Sequence, residues 1–108
     1  MVAKNTTKII KKYIDTLKKS GIEISKVFLF GSFAYGKPDK DSDIDLLIVS
    51  PQFDNTTEDD EFLAKLWLAT EIVDFSIEPI GIGERFFYCG KFSPLLDLIK
   101  NKGVEIVL

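Results

Sequence analysis

A glycine-rich turn and a row of aspartates lie side by side in the stretch FGSFAYGKPDKDSDID, residues 30–45. The turn carries Gly31 and Gly36, and aspartates occupy every second position from 39 to 45. Glycine lets a backbone approach phosphate closely, and carboxylates bind hard divalent cations. The stretch therefore suggests a phosphate-binding loop, a calcium loop, or a nucleotide site in which glycines hold phosphates and aspartates hold metal.

Two of these three sites fit poorly. Pro38 follows Gly36-Lys37 where a phosphate-binding loop needs a serine or threonine hydroxyl for magnesium, and no helix follows at once. An EF-hand calcium loop needs glycine at position 6 and glutamate at position 12. A loop that begins at Asp39 has Ile44 and Ser50 at those positions, and the register that begins at Asp41 fails in the same way.

The nucleotide site depends on Asp43 and Asp45. In a strand, a spacing of two sends both carboxylates out of one face, about 6 to 7 Å apart at Cα. Such a pair can hold two magnesium ions about 4 Å apart that also bind phosphate oxygens during a phosphoryl-type transfer. Asp45 lies between Ile44 and Leu46, where an unpaired carboxylate is costly to bury.

The glycine turn would hold the triphosphate in this site. Gly31 permits close approach of the backbone, and Ser32 offers an N–H and a hydroxyl. If residues 32–36 begin a helix, its N-terminal amides point at the phosphates. A purely structural alternative stays open, in which the glycines are turn residues and the aspartates a solvated loop.

Alternating helices and strands must position these groups. Spacing of apolar residues and capping signals predict the elements. We predict helices over residues 6–19, after Thr56 or Thr57, in ERFFYC after Gly83, and from the N-cap Ser93 with Pro94 to about Asn101; strands are predicted in KVFLF (26–30), DIDLLIVS (43–50), IVDFSIEPIGI (72–82, interrupted at Pro79) and VEIVL (104–108).

The third predicted strand supplies a second row of acids. Asp74, Ser76 and Glu78 are expected on one face, with Phe75 and Ile77 on the other. Trp67 and Cys89 are interpreted as packing residues rather than as ligand contacts.

Length and composition limit the remaining possibilities. The 108 residues, 45% hydrophobic and 29% charged, predict one globular α/β domain over residues 1–108. With one cysteine and no histidine, the chain has no cysteine-based zinc cluster and no imidazole base. The formal charge of -3 gives no sign of nucleic-acid binding. No apolar run approaches the roughly 20 residues of a membrane span, so we expect a cytoplasmic protein.

GSFAYG followed by DSDIDLLIV resembles the signature of the DNA polymerase β-like nucleotidyltransferase superfamily. Gly31 and Ser32 match its glycine-serine pair, and Asp43 and Asp45 match its metal-binding carboxylates. The size is similar to that of the minimal nucleotidyltransferases, which often act as antitoxins beside a HEPN-class toxin. The resemblance implies a mixed sheet with flanking helices. It also implies that the protein binds ATP and two magnesium ions, and that it transfers AMP to an acceptor hydroxyl on a partner protein.

The resemblance also implies a third carboxylate, which assists the metal or accepts the acceptor's proton. Both Asp74 and Glu78 qualify, and the sequence leaves the choice open. An alternative function is a non-catalytic module that binds nucleotide or neutralises a toxin by surface contact. The sequence also leaves open the acceptor, the preferred nucleobase and the oligomeric state, which includes a possible homo-oligomer.

Overall fold

Helices and strands alternate along the residues that the structure, a computed structural model, describes: 4–35, 42–54, 61–89 and 93–108. The elements in chain order are α1 (Lys4–Lys19), β1 (Lys26–Phe30), α2 (Ser32–Tyr35), β2 (Ile44–Ser50), a 3-10 turn (Pro51–Phe53), α3 (Glu61–Val73), β3 (Ile77–Gly83), α4 (Glu84–Cys89), α5 (Pro94–Lys102) and β4 (Val104–Glu105).

The strands form one mixed sheet in the order β3-β2-β1-β4. β1 pairs with β2 and β4 in antiparallel orientation, and β2 pairs with β3 in parallel. The register sets Phe30 opposite Asp45 and Asp45 opposite Glu78. The predicted α/β fold with a mixed sheet and flanking helices is confirmed.

Both faces of the sheet are covered, which explains why β2 is apolar almost throughout. Its residues alternate between the faces, so that Ile44, Leu46 and Ile48 pack under α1 and α3 while Leu47 and Val49 pack under α4 and α5. α1 contributes a stripe of buried side chains at helical spacing and leaves its lysines outside. The stripe consists of Thr6, Ile10, Tyr13, Ile14 and Leu17.

The structure confirms most of the predicted element boundaries. The Ser93 hydroxyl accepts a hydrogen bond from the Leu96 N–H at 3.3 Å, and Gly103 ends α5. The short helix predicted after Gly31 is α2. The predicted cap at Thr56 or Thr57 lies outside the described residues, as do Gly36 and the aspartates 39 and 41.

Four expectations were wrong. β3 begins only at Ile77 and runs straight through Pro79, because β3 is an edge strand, where a residue without an N–H is tolerated. Asp74 and Phe75 therefore precede the strand rather than belong to it. Trp67, at 55% exposure, and Cys89 are exposed instead of packed in the core.

In the part of the chain that the structure describes, no helix combines the length and the apolar character that a membrane span requires.

One buried hydrogen bond joins the two helices on the first face. The Tyr13 hydroxyl donates to the Leu66 carbonyl at 2.7 Å, and the Tyr13 side chain is fully buried. We expect Tyr13→Phe to lower the free energy of unfolding by about 1 kcal/mol, the net contribution of such a bond. Urea denaturation measures it. Tyr88→Phe, at a side chain 56% exposed, is the control and should change stability by less than about 0.5 kcal/mol; equal losses would contradict the expectation.

Candidate active site

Three carboxylates lie together at one end of the parallel strand pair. Asp43 lies directly before β2, Asp45 is in β2, and Glu78 is the partner of Asp45 in β3. Neighbouring strands are about 4.8 Å apart, and paired residues point their side chains to the same face. Asp45 and Glu78 therefore share the sheet face covered by α4 and α5.

The carboxylates repel one another. The charge of Asp43 is the main cause that raises the pKa of Glu78 above its ordinary value, followed by burial, the charge of Asp45 and a hydrogen bond with Asp43. Burial raises the pKa of Asp45, and the charge of Asp43 adds to that shift. This concentration of negative charge favours a cation between the carboxylates.

Gly31 brings the glycine turn against this cluster. It follows β1 with a φ of 74°, a left-handed conformation that favours glycine. A Cβ placed on Gly31 would collide with the Asp45 carboxylate, whose Cγ would lie only 3.2 Å away. Glycine therefore suits the turn and leaves room for the Asp45 side chain in the position that the structure shows.

Ser32 begins α2 directly after this turn, and its side chain is exposed. The Ala34 N–H donates to the Gly31 carbonyl at 3.0 Å, which fixes the first turn of α2 beside the sheet. α2 contacts both β1 and β2. The structure therefore brings Gly31, Ser32, Asp43, Asp45 and Glu78 to one end of the sheet.

Asp74 occupies a different place. Its carboxylate accepts hydrogen bonds from the Ser76 N–H at 2.8 Å and from the Ser76 hydroxyl at 2.6 Å. The Ser76 carbonyl in turn accepts the Ile44 N–H at 2.8 Å. Asp74 thus shapes the turn that leads from α3 into the register of β3 with β2, whereas Glu78 is the acid that faces Asp45.

An open cavity of about 340 Å³ lies over the carboxylates and continues along β3. Apolar side chains from α3, β3 and α5 form most of its wall. The lining residues are Phe30, Gly31, Asp45, Trp67, Glu78, Pro79, Ile80, Leu95 and Leu98. A larger groove of about 610 Å³ runs between α1 and residues 104–108, but it lies away from the carboxylates and the glycine turn.

Trp67 lines this cavity, although the sequence pattern placed it in the core. Helical spacing placed it on the core face of α3, yet the buried residues of α3 are Leu66, Ala69 and Thr70. The available signal was the apolar character of α3 all round, since Leu68 and Ile72 are exposed as well. A helix with more apolar residues than its core face needs often presents a second contact surface.

The donor set suits a metal ion that is shared with phosphate. In the described residues, no three acidic or cysteine side chains converge closely enough to hold a metal by themselves. Magnesium, however, is usually bound by one or two carboxylates together with water and phosphate oxygens. Asp43 and Asp45 match that arrangement, because each is an oxygen donor in a site of excess negative charge.

Comparisons with known proteins agree on one family. The sequence model of the nucleotidyltransferase domain family matches residues 8–105 of this chain. The "Putative protein adenylyltransferase MJ0141" of Methanocaldococcus jannaschii is 29% identical over 99 residues, 92% of this chain and 93% of that protein. The "Putative protein adenylyltransferase MJ0604" of the same organism is 48% identical, over 46 residues that span 42% of this chain and 46% of its own length.

Two solved structures share the fold. The crystal structure of a "putative nucleotidyltransferase" from Sulfolobus solfataricus superimposes with a TM-score of 0.57 at 22% identity, covering 92% of this chain and 77% of that one. A mutant of the toxin-antitoxin MntA-HpeT superimposes with a TM-score of 0.51 at 19% identity, covering 91% of this chain and 68% of that one.

The contact between Gly31 and Asp45 can be measured by a double-mutant cycle. Gly31→Ala should cost more stability than the roughly 1 to 2 kcal/mol of a left-handed alanine, because the new methyl group meets the Asp45 carboxylate. Gly21→Ala is the matched control, since Gly21 has a φ of 95° but its nearest neighbour is 3.8 Å away. In an Asp45→Ala background the difference between the two variants should disappear; an unchanged difference would show that the contact is unimportant.

The repulsion among the carboxylates predicts a pH-dependent stability. Since Asp45 and Glu78 bind protons more tightly in the folded chain than in the unfolded chain, stability falls as pH rises through their raised pKa values. In metal-free buffer, Glu78→Gln should raise Tm at pH 7.5, and the gain should shrink as pH falls toward 4. Glu71→Gln, at an exposed position on α3, is the control. A lower Tm for Glu78→Gln at pH 7.5 would contradict this prediction.

Proposed function

Since this chain belongs to the nucleotidyltransferase family, we propose that it transfers AMP from magnesium-bound ATP to a hydroxyl group of a partner protein. The predictions of a nucleotidyltransferase and of its fold are confirmed by the family match. The proposal of AMP transfer from magnesium-bound ATP rests above all on one observation. The Gly31 turn, Asp45 and Glu78 lie side by side on three neighbouring chain segments.

The phosphates of ATP are assigned to the glycine turn. Gly31 keeps the backbone free of a side chain there, and the Ser32 N–H and hydroxyl are available to phosphate oxygens. Asp43 and Asp45 would hold magnesium, which when bound neutralises charge on the phosphates and orients them. We assign two ions, because the pair of carboxylates and three phosphates offers enough oxygen donors.

The reaction is an in-line displacement at the α-phosphorus. The acceptor oxygen forms a bond to the α-phosphorus, the bond from that phosphorus to the bridging oxygen breaks, and pyrophosphate leaves. The acceptor's proton must go to a base. We assign this role to Glu78, because it faces Asp45 and its pKa is raised by Asp43, whereas the Asp74 carboxylate is engaged by Ser76.

The acceptor is proposed from the relatives. Both Methanocaldococcus jannaschii proteins carry the name "Putative protein adenylyltransferase", and one fold neighbour is a toxin-antitoxin structure. We therefore propose that this chain is the antitoxin partner of a toxin of the HEPN class and modifies it in the cytoplasm, where ATP and magnesium are available. A binding module that neutralises the toxin without transfer is the alternative.

Transfer of label from ATP carrying a labelled α-phosphate tests the assignment of the carboxylates. Asp43→Asn and Asp45→Asn should each lower transfer onto a co-expressed partner by at least about 100-fold. Glu78→Gln should lower it by about 100-fold or more, whereas Asp74→Asn should stay within about fivefold of the unmodified protein. Circular dichroism and Tm confirm that each variant is folded.

The other outcomes are equally informative. Full loss of transfer in Asp74→Asn and none in Glu78→Gln would exchange the two roles. Neutralisation of the partner that persists in Asp45→Asn, with no labelling by the unmodified chain, would establish the binding module instead.

A further inference from the structure

We propose that an exposed apolar surface beside the carboxylates docks the acceptor protein, and that the docked segment carries its hydroxyl between apolar residues. This acceptor surface consists of Trp67, Ile80, Leu95 and Leu98. The inference rests on the proposed function and deepens it, because it states which side of the site the acceptor enters from and which sequence it presents.

The acceptor surface is assembled from three separate elements. Trp67 comes from α3, Ile80 from β3, and Leu95 and Leu98 from α5. Their side chains are between 38% and 55% exposed, although large apolar groups usually find cover in a core. All four line the 340 Å³ cavity that also contains Asp45 and Glu78, so this surface is continuous with the reactive groups.

The order of groups across the sheet separates the two sides of the reaction. Gly31 follows β1, Asp45 is in the central strand β2, and Glu78 is in the edge strand β3. The leaving pyrophosphate is assigned to the Gly31 end. Since the attacking and leaving oxygens lie roughly in line, the acceptor oxygen must arrive from the opposite side, over Glu78 and the β3 edge.

Ile80 and Trp67 lie on this incoming side, whereas Leu95 and Leu98 border the cavity from α5, which contacts β1. Ile80 follows Glu78 by two residues in β3 and therefore points to the same face of the sheet. Trp67 borders the same cavity from α3. An aromatic ring of this size, flanked by aliphatic groups, is a frequent anchor in protein interfaces.

The acidic groups beside the acceptor surface limit which residues the docked segment can carry. Asp43, Asp45 and Glu78 are concentrated at one end of the surface, and Asp97 is exposed in the first turn of α5. The described residues that line the cavity include no lysine or arginine. Acidic residues beside the acceptor hydroxyl would therefore be repelled, whereas apolar residues with basic ends would be attracted.

Two synthetic peptides test this preference. One carries a serine, threonine or tyrosine between leucines and has lysine ends; the other has glutamates in place of the leucines. We expect transfer of labelled AMP to the leucine peptide with a kcat/KM at least about tenfold higher than to the glutamate peptide. Equal use of both peptides would overturn the proposal.

Variants then locate the docking. Trp67→Ala and Leu98→Ala should each lower kcat/KM for the leucine peptide about tenfold and leave KM for ATP unchanged. Ile72→Ala is the matched control, because Ile72 lies on the same helix at 69% exposure but does not line the cavity. A raised KM for ATP with unchanged use of the peptide would mean that the surface holds the nucleobase, and would overturn the proposal.

A binding measurement keeps the inference distinct from the proposed function. Trp67 is the only tryptophan of the chain, so its fluorescence reports directly on this surface. The leucine peptide alone, without ATP, should change that emission, and Leu98→Ala should weaken the response. If the emission changes but no labelled AMP is transferred to the peptide, the docking surface is retained and the proposed reaction is rejected. If the leucine peptide does not change the Trp67 emission, the docking surface is overturned. It is also overturned if the unmodified chain self-associates in sedimentation and Trp67→Ala or Leu98→Ala makes it monomeric, because the surface would then join two copies of the chain.

Discussion

The closeness of the Gly31 backbone to the Asp45 carboxylate is the constraint on which the rest of the site depends. The antiparallel pairing of β1 and β2 sets Phe30 opposite Asp45, so the residue that follows Phe30 must turn away directly beside a carboxylate. Only a residue without a side chain leaves that carboxylate in place. The parallel pairing of β2 with β3 then adds Glu78 on the other side.

The concentration of acids is costly for the isolated chain, and the fold compensates for it elsewhere. β2 lies between two covered faces, and its apolar residues anchor the strand that carries Asp45. Leu46 is buried on one face of the sheet and Leu47 on the other. Their packing holds the Asp45 carboxylate at the boundary between core and solvent. The proposed metal site would trade stability for function, which is common among enzymes.

Local patterns in the sequence point to those residues of the candidate site that lie within one strand or one turn. Asp43 and Asp45 follow from strand periodicity, and Gly31 follows from the end of an apolar run. The choice between Asp74 and Glu78 could not be predicted in this way, because it depends on where α3 ends and on the register of β3. That register is fixed by non-local contacts, including the Ile44 N–H to the Ser76 carbonyl. The exposure of Trp67 likewise depends on how α3 is seated on the sheet.

Pro79 has a consequence for how proteins can meet this edge. β3 is the outer strand beside the clustered carboxylates, and an outer strand with free N–H groups can recruit a further strand. Pro79 has no N–H to offer, which interrupts that row of donors next to Glu78. A visiting protein is thereby discouraged from extending the sheet, and copies of the chain are discouraged from aggregating edge to edge. An apolar contact surface can then stay exposed next to a sheet edge that is a poor template for β-strand addition.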